Sequence, residues 1–251
     1  MKRNSYARFA VILLIILFVV LIIPLIKQIG RRDTGEPSKD DNNLIATEDE
    51  SKEIPVDNGI TIVVDPGHGG RDPGKIGVNG ALEKDVNLSI SLKLRKHLED
   101  NGYNVIMTRE EDIGLYKDSD SNKKNADLRK RVDIINNSNA SLAISIHQNS
   151  FEQESSRGAQ VFYYGNSIES EVLANIIQEQ IKISVQPDNK RLAKAETSYY
   201  MLKNTKCPIV IIECGFLSNN EEASLLIDDD YQDKMAEAIY RGLDTYINVK
   251  D

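Results

Sequence analysis

The chain has no tryptophan, only three histidines and only two cysteines in 251 residues. Two cysteines cannot build a disulfide framework, and a chain of this length does not need one. Cys207 precedes an apolar run and Cys214 follows it, so both read as buried thiols. An excess of positive charge is also missing. The formal net charge is −8, and residues 60–251 hold 23 bases against 30 acids. A folded part this acidic lacks the electrostatic footprint of a nucleic-acid binder, so no nucleic-acid partner is expected. No internal repeat is present.

What is there divides into unequal parts. Residues 1–8 are short and basic, and residues 9–26 (FAVILLIILFVVLIIPLI) form an 18-residue run without a charge. That length suits a helix across the hydrocarbon core and exceeds the apolar region of a signal peptide. No small-x-small cleavage site follows in KQIGRRDTG, so an uncleaved anchor is favoured over a removed signal. Lys2, Arg3 and Arg8 precede the run and Lys27, Arg31 and Arg32 follow it, which ties the positive-inside count. The short basic N-terminus resembles an export signal, which places the remainder outside the cytoplasm on the membrane. Residues 27–59 are polar, acidic over most of their length, and read as a flexible linker.

From residue 60 onward, short apolar runs alternate with helical patterns. ITIVVD (60–65), NVIMTR (104–109), SLAISIH (141–147), GAQVFYYG (158–165) and PIVIIE (208–213) read as strands. Helices are expected over 82–101, 126–137, 167–183 and 231–247, the first with Val86, Ile90, Leu94 and Leu98 on one face. This alternation predicts an α/β fold with a mostly parallel, mixed central sheet flanked by helices. GAQVFYYG follows the third strand without a helix between, so it is expected antiparallel at an edge.

Three chemistry-bearing groups close predicted strands. His68 lies in the turn DPGHGG after the first, His147 ends the third, and Glu213 ends PIVIIE. In open α/β sheets, ligand sites form beyond the carboxyl ends of the strands, so parallel strands would bring all three to one crevice. Glu83 opens the first helix, beside the same rim. Two imidazoles and a carboxylate are the ligand set of a catalytic zinc that keeps a position for water, and a remaining carboxylate can then act as general base. Each residue also has a plainer reading. A histidine in a glycine-rich turn is commonly structural, and a glycine-rich loop can also cradle phosphate, although this one lacks Gly-Lys-Ser/Thr. Burying Glu213 behind Ile209–Ile212 is harder to explain without a partner or metal. His97 lies 14 residues beyond Glu83, about 21 Å along the helix, on its apolar stripe. It reads as a satisfied, half-buried histidine.

The segments IVVDPGHGGRDPG (62–74), LEKDVNL (82–88), VIMTR (105–109), LRKRVDIINNSNASLAISIHQN (128–149) and PIVIIECGFLSN (208–219) together resemble the zinc-dependent N-acetylmuramoyl-L-alanine amidases, the amidase_3 family of peptidoglycan hydrolases. The resemblance implies that His68, Glu83 and His147 hold one zinc ion and that Glu213 is the catalytic carboxylate. It implies hydrolysis of the amide between the lactyl group of N-acetylmuramic acid and the L-alanine of the stem peptide. Arg191 and Lys194 resemble a basic element of the family and, with Asn149, are candidates for contact with substrate; the alternative for the two bases is a solvated loop. Glu110–Asn125 reads as a polar lid or rim. The short, singly anchored form resembles the spore-cortex, germination-associated members, which take part in forming muramic-δ-lactam. The alternatives are a vegetative amidase of cell separation or turnover, a non-catalytic peptidoglycan-binding module and a zinc exopeptidase. An activator protein is a further possible partner.

Overall fold

The computed structural model describes residues 57–250. The basic N-terminus 1–8, the expected anchor 9–26 and all but the end of the linker 27–59 lie outside them. Among the described residues no helix is long and apolar enough to cross a membrane.

Six strands form one mixed sheet: β1 (Thr61–Pro66), β2 (Asn104–Met107), β3 (Leu142–Asn149), β4 (Gln160–Tyr164), β5 (Lys194–Glu196) and β6 (Ile209–Phe216). Their order is β2-β1-β3-β6-β4-β5. The first four in that order run parallel. β4 is antiparallel to β6, and β5 is parallel to β4. β1, β3 and β6 are nearly continuous apolar runs, as strands covered on both faces must be.

Helices α1 (Glu83–Glu99), α2 (Lys123–Asn137), α3 (Ile168–Ser184), α4 (Tyr200–Asn204), α5 (Asn220–Leu225) and α6 (Asp229–Lys250) surround the sheet. α1, α3 and α6 pack together. Val86, Ile90, Leu94 and Leu98 of α1 are all buried, as their four-residue spacing predicts. On the other face, Val132 and Ile135 of α2 and Met201 and Leu202 of α4 close over Val63, Ala143, Phe162, Ile209 and Ile211.

Two expectations need correction, and one strand was not expected. GAQVFYYG is antiparallel as expected, but β5 covers it, so it is not the edge. Residues 194–196 carry no strand pattern; they pair because β4 would otherwise expose an unpaired backbone row. Finally, β3 and β6 continue past His147 and Glu213, to Asn149 and Phe216, with an irregular register beyond His147.

Candidate metal centre and active site

The parallel register puts His147 directly beside Glu213, on neighbouring central strands. His68 arrives from the turn after β1, and Glu83 from the first turn of α1 above the same end of the sheet. His68, Glu83 and His147 offer ligand atoms that all lie within 4.8 Å of one another. Glu83 Oε1 is 3.2 Å from His68 Nε2 and 3.0 Å from His147 Nδ1. A tetrahedral ion about 2.1 Å from each donor would space its ligands by roughly 3.4 Å, so the donor set fits zinc.

The candidate donors His68 and Glu83 are held from behind. His68 Nδ1 is 2.9 Å from Asp72 Oδ2, the imidazole–carboxylate contact that orients metal-binding histidines. Glu83 Oε2 accepts from Lys75 N at 2.8 Å, and Oε1 also accepts from Gln148 N at 3.1 Å. Gly67 is required by the approach of His147: a Cβ there would lie 2.3 Å from that ring. His68 itself takes a left-handed φ of 62°, strained for a non-glycine residue. Its carbonyl accepts from Arg131 Nη2 at 2.6 Å, and Arg131 Nη1 pairs with buried Asp65 at 2.6 Å. Asp65 also accepts from Thr108 and Ser145. Burial works against ionisation of Asp65, but Arg131 and these hydroxyls outweigh it and hold its pKa below the usual range.

The two glutamates differ in electrostatic state. Burial alone would raise the Glu83 carboxyl, yet hydrogen bonds from His147 and His68 hold it well below the ordinary range. It stays an anion, the form that can bind a metal ion. Burial pushes Glu213 up to about 7, with the Glu83 charge adding to the shift and His147 opposing it. Glu213 Oε2 is buried without a hydrogen-bond partner, an unmet acceptor beside the ligand cluster. The crevice is about 360 Å³, and its walls include Lys75, Lys124, Asn149 and Tyr199.

Of the expected site residues, His68, Glu83, His147, Glu213 and Asn149 meet in this crevice. Arg191 and Lys194 do not. Arg191 donates to Arg157 O at 2.7 Å and Gln160 Oε1 at 3.2 Å, and lines a separate groove. Lys194 is exposed on β5, its Nζ 5.7 Å from the centre of the Phe162 ring. Tyr116, Lys123 and Lys124, from the expected rim segment, line a depression beside His68 and His147. His97 lies off the site, with Nε2 2.9 Å from Asp233 and its ring stacked on Tyr240. Cys214 is buried and Cys207 half-buried, both free, and burial raises both thiol pKa values. Asp72, Arg109 and Arg131 were not singled out as site residues from sequence. Arg131 had a legible signal, a charged residue one position from Val132 on an otherwise apolar helix stripe.

Two imidazoles and a carboxylate around one point, with a second carboxylate left unpaired beside them, are the donor set found in metal-assisted hydrolases. The chain belongs to the N-acetylmuramoyl-L-alanine amidase family, whose profile matches residues 62–245. It is 43% identical over 196 residues to the germination-specific N-acetylmuramoyl-L-alanine amidase of Bacillus subtilis, covering 77% of this chain and 82% of that protein. Its fold is similar to the CwlD amidase of Clostridioides difficile, solved in complex with the GerS lipoprotein. That match has a TM-score of 0.74 and 46% identity, over 76% of this chain and 99% of that one. A second amidase structure, from Clostridium difficile, matches with a TM-score of 0.69 and 30% identity over 76% of this chain and 98% of that one.

Proposed function

We propose that this amidase is zinc-dependent and hydrolyses the bond between the lactyl carbonyl of N-acetylmuramic acid and the L-alanine nitrogen. The observation that carries this reading is the unmet Glu213 Oε2 beside the His68, Glu83 and His147 donors. His68, Glu83 and His147 would hold zinc, which would supply Lewis acidity toward the carbonyl oxygen and toward water. Glu213 takes a proton from the attacking water and returns it to the alanine nitrogen as the C–N bond breaks. Burial raises this carboxyl in the metal-free protein, which favours its holding the proton between the two transfers. We infer that the lysines at the crevice rim, Lys75 and Lys124, meet stem-peptide carboxylates; Arg191 lines a separate groove.

The biological setting is the spore cortex, where the cleavage leads to muramic-δ-lactam. The germination-specific relative and the CwlD structure support that setting. The lipoprotein in the CwlD complex supports a protein activator as partner. Residues 9–26 anchor the enzyme in the membrane, with its catalytic part outside the cytoplasm.

Metal-stripped protein given zinc is expected to release stem peptides with a free L-alanine amine from purified peptidoglycan. Glu213→Ala is expected to bind zinc as the native chain does while losing about 10²–10⁴-fold in turnover. Native turnover in that variant would contradict the role of Glu213. Spores lacking the enzyme are expected to have a cortex without muramic-δ-lactam; a normal cortex with unseparated vegetative cells would move the enzyme to wall turnover.

A further inference from the structure

Arg109 follows β2 and is only 3% exposed, yet among the described residues it makes no ion pair. Its four hydrogen bonds all go to main-chain carbonyls. Nε donates to Pro66 O at 3.0 Å and Nη1 to Glu111 O at 3.0 Å. Nη2 donates to two acceptors at once, Gly67 O at 3.0 Å and Lys84 O at 2.8 Å. Gly67 immediately precedes His68, and Lys84 immediately follows Glu83. One nitrogen therefore ties together the two segments that carry these ligands, although they come from different layers of the fold.

Arg131 differs in a telling way. It holds Pro66 O and His68 O but reaches nothing on α1, and Asp65 and Asp127 compensate its charge. Arg109 has no carboxylate in contact; Asp65, Asp112 and Asp127 favour its charge only from beyond ion-pair distance. Burial, with the Arg131 charge second, lowers its pKa to about 10. An interior cation with no carboxylate in direct contact works against stability. Further links between loop and helix run from Asn87 to Gly67 O at 3.1 Å and from Lys84 Nζ to Gly70 O at 3.0 Å. The main chain of Glu83 and Lys84 also bonds the far end of the loop, at Lys75 O (2.9 Å) and Pro73 O (3.1 Å). None of these links joins the main chain next to His68 to the main chain next to Glu83 through a single rigid group.

We infer that Arg109 is a positioning residue that fixes the separation of His68 and Glu83, so that the free protein already presents both at the spacing zinc requires. The inference rests on the zinc reading above. The planar guanidinium suits this task because its donors have fixed directions; the ammonium of a lysine has three donors on a flexible stem.

The test uses the purified full-length chain and measures zinc affinity by competition with a chromophoric chelator, alongside melting of the metal-free protein. Arg109→Lys and Arg109→Gln are compared with Ile239→Val, which trims the core on α6 away from both segments. The expected result is a 10–100-fold weaker zinc affinity in both Arg109 variants, the range for outer partners of metal ligands. Ile239→Val should lower the melting temperature while leaving zinc affinity within about twofold of the native value. If Arg109→Lys does not fold, Arg109→Gln carries the comparison. If neither folds, hydrogen exchange at Gly67 and Lys84 in the native metal-free chain decides. Protection of both segments to the same degree supports the tie, and independent opening overturns it. Native zinc affinity in a folded Arg109 variant, or an equal loss in Ile239→Val, also overturns it. A native chain that binds no zinc would instead refute the zinc reading, a distinct result.

Discussion

Glu213 follows four consecutive apolar residues, Ile209–Ile212, on a central strand, and burial pushes its carboxyl from 4.5 up to about 7. Between those two pH values the folded metal-free protein holds a proton that the unfolded chain has released. Stability therefore falls as pH rises from 4.5 to 7, and above 7 the full penalty is present, up to about 3 kcal/mol. Glu213→Gln removes the titration. Denaturant melts of the metal-free protein should show this variant more stable than native at pH 8 and equal to it near pH 4. A difference independent of pH would contradict the assignment. The same residue shows what sequence can disclose: a carboxylate closing an apolar run is conspicuous, as are histidines that close or follow one. Arg191 and Lys194 show the opposite case. A base in a polar stretch carries no sign of which way its side chain turns, and Arg191 turns to Arg157 and Gln160 instead of the crevice.

Elements were legible wherever burial imposes a period. The face of α1 and the apolar strands β1, β3 and β6 needed only their spacing to be placed. β5, α4 and α5 have three, five and six residues, too few to show a period, and they form through their neighbours. Ties between elements were hidden for a related reason, since a long side chain can reach across the fold. Asp65 on β1 and Arg131 on α2 form such a tie. Asp65→Asn would leave Arg131 poorly compensated in the interior, at an expected loss of about 3–5 kcal/mol. The contribution of Asp65 is complete above its ordinary pKa of 3.8 and is lost as pH falls toward the lowered folded value. The variant's deficit should therefore shrink in acid, and a deficit that grows there would contradict the account. Gly242 marks another contact, where α6 crosses α3. A Cβ there would lie 2.9 Å from Ile177 Cα. Alanine would gain about 1 kcal/mol of helix propensity, but overpacking costs typically 1–3 kcal/mol. Gly242→Ala should thus lower the melting temperature, and a rise would show that the helices can separate freely.

At the scale of the whole molecule, the sheet brings His68, Glu83, His147 and Glu213 together from positions spanning more than half the chain. Only a parallel arrangement of β1, β3 and β6 does this with all three carboxyl ends at one edge. The reaction proposed for that edge has a chemical signature in its products. Hydrolysis of the lactyl–alanine amide adds the oxygen of water to the lactyl carbon and leaves the alanine nitrogen as an amine. The most direct measurement is digestion of purified peptidoglycan in ¹⁸O-labelled water with the zinc-loaded chain, followed by mass spectrometry of both products. The account predicts label in the lactyl carboxylate of the glycan and none in the released peptide, whose first residue is L-alanine with a free amine. Label in a carboxylate within the stem peptide would contradict it and make the enzyme a peptidase.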